Sequence, residues 1–290
     1  MCTEHTAGAV HGHGAGLTRR AALVGGATVA VSAAFTGTAL AGTAAGTAAA
    51  DVGRRPALPR PGRRGLQDLT YTVSENFPAF VPGEEARRRT TVTFEDNGYY
   101  SQEWTLTEHT GTHLDAPGHF TAGGRLAPDL ALEELITPAV VIDIAERAAA
   151  DSDAVVTVDD VRRFERRHGR VPRGAAVLMY SGWGSRVGDA DAYRGADTAG
   201  VLHFPGFDPE TTQWLLDRRR IASLGVDTLS IDPGNSATFA THLVLTGADR
   251  YGLENLASLD RIPPSGAAIV VGLIPYQDGS GGQSRVFAHW

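Results

Sequence analysis

The chain contains no lysine: all 26 of its basic residues are arginine. Schiff-base chemistry and phosphate-loop lysine chemistry are therefore excluded. Cysteine occurs once, as Cys2, in a segment that reads as a removable leader. The rest of the chain thus offers no disulfide, no thiolate metal ligand and no thiol nucleophile. Positive charge is also in deficit. The formal net charge of −7 gives no ground for a nucleic-acid partner. Where arginines do cluster, at Arg162–Arg163, Arg166–Arg167 and Arg218 to Arg220, they fall on predicted helices among acidic residues and read as solvated faces.

Long apolar runs are missing as well. Arg19 and Arg20 precede a weakly apolar stretch, rich in Ala, Gly and Val, that ends near Ala39-Leu40-Ala41. A twin arginine ahead of such a stretch reads as a twin-arginine export signal over residues 1–41, which places the protein outside the cell or in the cell-wall space. The alternative, a transmembrane anchor, is disfavoured by the Gly, Thr and Ser content, so no stable membrane anchor is expected. His5, His11 and His13 belong to this segment and are set aside as ligands. Residues 42–64, almost entirely Ala, Gly, Pro, Thr and Arg, read as a disordered linker. What remains, 65–290, is long enough for one sizeable core.

Strand and helix signals alternate along this domain. Thr91 to Phe94 and Tyr100 to Thr107, on either side of Asp96-Asn97-Gly98, predict a hairpin. Leu130 to Leu135 predicts a short helix closed by Pro138. Continuous apolar runs predict buried strands at Ala139 to Ile144, Ala175 to Tyr180, Ile221 to Val226 and Ala267 to Ile274. Thr157 is a good N-cap for a helix to His168, and Asp208 caps another that starts at Pro209 and runs to Arg220. The pattern is a mixed α/β domain, not a strict βαβ repeat.

The densest chemistry lies in one stretch, His109 to His119, HTGTHLDAPGH. Its imidazoles and the Asp115 carboxylate are ligand types that a zinc- or manganese-class ion favours. Gly111, Pro117 and Gly118 prevent a single helix, so a turn is expected to converge these side chains. Phe80 and Trp183 are candidates for an aromatic pocket wall, with core packing as the alternative for both. Asp227 and Asp232 could accept hydrogen bonds from ligand histidines or serve turns. His203 could contact substrate or support a loop, and His168 suits a helix end.

HTGTHLDAPGH resembles the H-x-G-T-H-x-D-x-P-x-H signature of the metal-dependent cyclase family, which includes bacterial kynurenine formamidases and isatin hydrolases. Phe204 to Leu216, Gly225 to Gly234 and the segment carrying His242 and Glu254 are similar to family segments too. The resemblance implies a swivelling β/β/α fold, a mixed sheet with flanking helices, assembled as a dimer or tetramer. It implies a first metal on His109, His113 and Asp115, and a second bridged by Asp115 to His242 and Glu254, hence one or two Zn²⁺ or Mn²⁺ ions. His119 would then shuttle the proton. One departure stands out: Pro78 to Glu84 carries Phe80 where the formamidases carry Trp, and is one residue longer.

The implied activity is hydrolysis of a small-molecule amide, an arylformamide such as N-formylkynurenine, or of a lactam or lactone, by metal-activated water. A divalent ion lowers the pKa of bound water towards about 7 and polarises a carbonyl, while an imidazole can protonate the leaving nitrogen. Two alternatives remain open on sequence alone: a cyclase or dehydratase using the same Lewis acid in reverse, and a metal-dependent binding protein without turnover.

Overall fold

The computed structural model describes residues 65–290. The expected export signal and linker lie outside the described residues. The described chain begins with β1 (Leu66–Asp68), followed by a hairpin of β2 (Arg87–Val92) and β3 (Ser101–Thr105). The hairpin turn is a one-turn helix, α1 (Phe94–Asn97), which the Thr93 side chain caps and left-handed Gly98 ends. Its first strand starts at Arg87, well before the expected Thr91. Arg88 and Arg89 there pair with Glu75 and Glu103, and a strand exposed on both faces shows no apolar alternation.

Further strands follow as β4 (His113–Asp115), β5 (Ile136–Asp143), β6 (Val155–Val156), β7 (Ala176–Tyr180), β8 (Gly206–Phe207), β9 (Ser223–Val226), β10 (Tyr251–Glu254), β11 (Ala267–Leu273) and β12 (Gly281–His289). Between them lie α2 (Ala145–Ala150), α3 (Val158–His168), α4 (Ala190–Arg194), α5 (Pro209–Arg219) and α6 (Ala240–Gly247). The helix expected at Leu130 to Leu135 is instead a pair of 3-10 turns, Ala127–Asp129 and Leu132–Leu135. β5 extends through Pro138, which lies just before the first residue that pairs with β7, where a missing N–H is tolerated.

The main sheet runs β1-β12-β11-β5-β7-β9-β10-β4, with β4 also pairing to β12. β5, β7, β9 and β10 are mutually parallel; the other pairings are antiparallel. This is the mixed sheet with flanking helices that the family resemblance implies. Strand alternation sorts its side chains into two cores. Val140, Ile142, Val177 and Met179 pack with Val161 and Phe164 of α3, Leu215 of α5 and Leu245 of α6. Their neighbours Ala139, Val141, Ala176 and Leu178 face Leu114, Leu253, Ile269 and Val286. α3 begins where Thr157 and Asp160 form a reciprocal capping box, and α5 where the Asp208 carboxylate accepts from the Thr211 N–H.

No helix among the described residues is long and apolar enough to cross a membrane.

Candidate metal centre

Strand alternation, not a turn, brings the central side chains together. His113 and Asp115 stand two residues apart on β4 and share one face, while Leu114 between them is buried on the other. Antiparallel pairing sets Glu254 of β10 opposite His113. The expected bends flank this strand. Gly111 at φ 75° leads in from His109, and a 3-10 turn, Pro117–His119, brings His119 back towards it. α6 contributes His242. The pairing of β4 with β12 requires glycine nearby: a Cβ at Gly281 would lie 2.5 Å from the Leu114 carbonyl oxygen and 2.7 Å from the His109 ring.

His109 Nδ1 lies 2.6 Å from Asp115 Oδ1. His113 Nε2 lies 3.3 Å from both Asp115 Oδ1 and Glu254 Oε2. His242 Nε2 lies 3.2 Å from Glu254 Oε1 and 3.4 Å from Asp115 Oδ2. One donor atom each from His109, His113 and Asp115 falls within 4.8 Å of the others, and the same holds for Asp115, His242 and Glu254. Asp115 is common to both sets. Glu254, although it sits in a polar stretch of sequence, is 6 % exposed.

Two imidazoles are turned the same way by their neighbours. His113 Nδ1 lies 2.8 Å from the Gly111 carbonyl, and His242 Nδ1 lies 2.6 Å from Asp232 Oδ2. Each therefore donates at Nδ1 and turns Nε2 towards the carboxylates, where it carries a proton that a divalent ion would displace to take the lone pair. His113 Nε2 is buried and has no hydrogen-bond partner, a costly arrangement unless something else accepts its lone pair. The charges agree. Burial pulls the His113 pKa down, but Asp115 and Glu254 outweigh it and raise it to about 10. His242 is likewise held well above its ordinary value by Asp115, Asp232 and Glu254 against burial. An uncompensated negative field, imidazole nitrogens and carboxylate oxygens together fit a divalent metal ion.

His119 belongs to neither set. Its ring stacks on that of His109 at 4.0 Å, and burial lowers its pKa. Around the cluster opens a cavity of about 340 Å³ whose walls include Phe80, Phe120, Phe239 and Leu229. Phe239 lies 6.1 Å from Phe80 and 5.3 Å from Phe120 between ring centroids.

Trp183 is the correction here. It stands apart from the cavity, 2 % exposed, packing on Tyr193, Phe204 and Leu229 with its indole N–H donating to the Tyr193 carbonyl. A tryptophan whose N–H finds an internal acceptor can be wholly core. Asp227 also departs from a ligand-supporting role. It accepts from the Ser181 amide and hydroxyl, and burial pushes its pKa up to about 6. His203 pairs with Asp153, and the His168 ring packs at a tilt against Phe164.

Several site residues escaped the sequence reading. Phe120 directly follows the motif, and Phe239 stands three residues before His242. Ser280 lies 3.0 Å from His109 Nε2 and donates to Glu108. Asn255 follows Glu254. Adjacency to a predicted site residue was the available signal for Phe120, Glu108 and Asn255; Ser280 had only its glycine-rich surroundings.

A mixed sheet that gathers two imidazole–carboxylate sets around one shared aspartate, beneath an aromatic cavity, defines a metal-hydrolase class of site. Residues 67–233 match the family model described as putative cyclase, and the chain belongs to that family. It is 33 % identical over 238 residues to the isatin hydrolase of Roseibium aggregatum, covering 76 % of this chain and 90 % of the relative. A kynurenine formamidase of Geobacillus thermodenitrificans is 27 % identical, covering 75 % and 94 % respectively. Among solved structures, isatin hydrolase A from Ralstonia solanacearum superposes with a TM-score of 0.75 at 35 % identity, over 79 % of this chain and 92 % of that one.

Proposed function

We propose that this protein is a metal-dependent hydrolase of C–N bonds in small aromatic amides or lactams. The observation that carries the reading is the shared-aspartate cluster at the floor of a phenylalanine-walled cavity. His109, His113 and Asp115 would hold a first zinc or manganese ion, and Asp115, His242 and Glu254 a second. Bound there, such an ion supplies a Lewis acid that acidifies water and polarises the scissile carbonyl.

The chain's own groups supply the rest. His119 lines the cavity beside the cluster without joining either ligand set, which suits proton delivery to the leaving nitrogen. Phe80, Phe120 and Phe239 give an aryl group edges and faces to pack on, and exclude water from the reacting bond. Among the described residues no arginine lines the cavity, and Glu84 stands at its wall. A neutral aryl lactam or formanilide needs no ionic partner there, whereas the amino-acid carboxylate of N-formylkynurenine would find no cation among these side chains, only Glu84 for its ammonium.

Export through residues 1–41 and assembly as a dimer or tetramer complete the proposal. Arg19-Arg20 supports the first, and replacing both with Lys should retain the protein inside the cell on fractionation. For the activity, metal-stripped protein is reconstituted with zinc or manganese and offered isatin, formanilide, N-formylkynurenine and a lactone. Metal-dependent turnover, best on the neutral aromatic substrates, is expected. Full activity after exhaustive chelation would overturn the proposal.

A further inference from the structure

His113 owes its orientation to a residue outside both ligand sets. Gly111 precedes it at φ 75°, in a segment whose peptide planes glycine leaves free to rotate. The Gly111 carbonyl that meets His113 Nδ1 also accepts a second hydrogen bond, at 3.0 Å, from Asn255 Nδ2. Asn255 holds the neighbouring residue too, since the Thr112 hydroxyl donates to the Asn255 carbonyl at 2.6 Å. One residue thus holds both the Gly111 carbonyl and the Thr112 side chain. The β4–β10 register explains how: Glu254 lies opposite His113, so the residue that follows β10 falls beside Thr112.

Asn255 is itself held. It is 2 % exposed and left-handed at φ 55°, a conformation that asparagine tolerates better than most residues. The Tyr193 hydroxyl shares its proton between Asn255 Oδ1 and the Asp227 carbonyl, 3.0 Å from each. With Oδ1 engaged as acceptor, Nδ2 must face Gly111.

The geometry points to Asn255 as a positioning residue for the metal centre: its amide, set by Tyr193, pins the Gly111 carbonyl that fixes His113 with Nε2 free for an ion. The inference rests on the proposed metal site and adds a specific dependence to it. Supporting groups of this kind are typically worth about 10–100-fold in metal affinity.

The test measures zinc affinity of the full-length variants by competition with a chromophoric chelator, and follows the His113 Nδ1–H resonance in zinc-loaded protein. Asn255→Gly keeps the left-handed backbone and deletes the amide. Asn255→Asp keeps the shape and the Tyr193 contact but removes the donor. Tyr193→Phe leaves Asn255 in place but unoriented. Both Asn255 variants should bind zinc about 10–100-fold more weakly, with faster exchange of that proton; Tyr193→Phe should move the same way by less.

Unchanged zinc affinity and exchange in folded Asn255→Asp would overturn the assignment, even if its melting temperature falls, because Asn255 would then be structural only. If Asn255→Gly fails to fold, Asn255→Asp and Tyr193→Phe still decide. Failure of the wild-type protein to bind zinc or manganese would instead sink the metal proposal itself.

Discussion

His113 and Glu254 face each other across the β4–β10 ladder, with Nε2 of one 3.3 Å from Oε2 of the other. That contact joins two segments far apart in sequence, and much of the expected behaviour of the site depends on it.

Ligand and proton donor should separate under mutation. Asp115→Ala is expected to lose metal and activity together, since its carboxylate serves both sets. His119→Ala should retain metal and lose roughly 10²–10⁴ in kcat, the usual scale of general acid–base catalysis. Metal content and turnover measured on the same preparations distinguish them. Equal metal loss in both would make His119 a ligand.

Asp232 should be felt at the metal although it touches none. Its carboxylate accepts from His242 Nδ1, from the Thr241 and His242 amides and from the Ser236 hydroxyl. Asp232→Asn is expected to weaken metal binding about 10–100-fold. A calorimetric titration showing wild-type affinity would contradict this.

The aromatic walls should act on binding. Phe80→Ala removes a ring that packs against Phe239 and Phe204. KM for an aryl substrate should rise about tenfold with kcat nearly constant, the pattern of lost uniform binding. A fall in kcat at unchanged KM would instead place Phe80 at the reacting bond.

Acid sensitivity of the fold should trace in part to Asp160. Burial raises its pKa, but Arg147, Thr157 and Arg163 outweigh this and hold it well below the ordinary carboxylate value. A depressed folded pKa contributes stability above the unfolded value of about 3.9 and loses it as pH falls further. Asp160→Ala should therefore destabilise by ~2 kcal/mol at pH 7. Its deficit in denaturant melts should shrink below pH 4. A deficit constant with pH would show that packing, not charge, is responsible.

Local signals carried much of this structure. Thr157 and Asp208 marked helix starts because capping is chemistry within four residues, and the apolar runs at β5, β7, β9 and β11 marked buried strands. The three-residue strand β4 carried no such signal, because its pattern of polar, apolar, polar also reads as loop. β10 was hidden in the same way: Glu254 looks solvent-exposed until Gly252 and Leu253 are seen paired on both sides. Trp183 could not be assigned from sequence at all, since core and wall differ only in where Tyr193 offers its carbonyl.

β4 is bonded to β10 along one edge and to β12 along the other, and so closes the main sheet into a ring. It is also the shortest member of that ring and holds His113 and Asp115. The metal cradle therefore sits on the seam where the ring is fastened, with few ladder bonds of its own. An ion bridging β4, β10 and α6 would act as a clasp, making occupancy and ring closure one equilibrium. The same coupling makes the empty seam the first place for the ring to open, so the Leu114 amide is where hydrogen exchange would register the ion's departure.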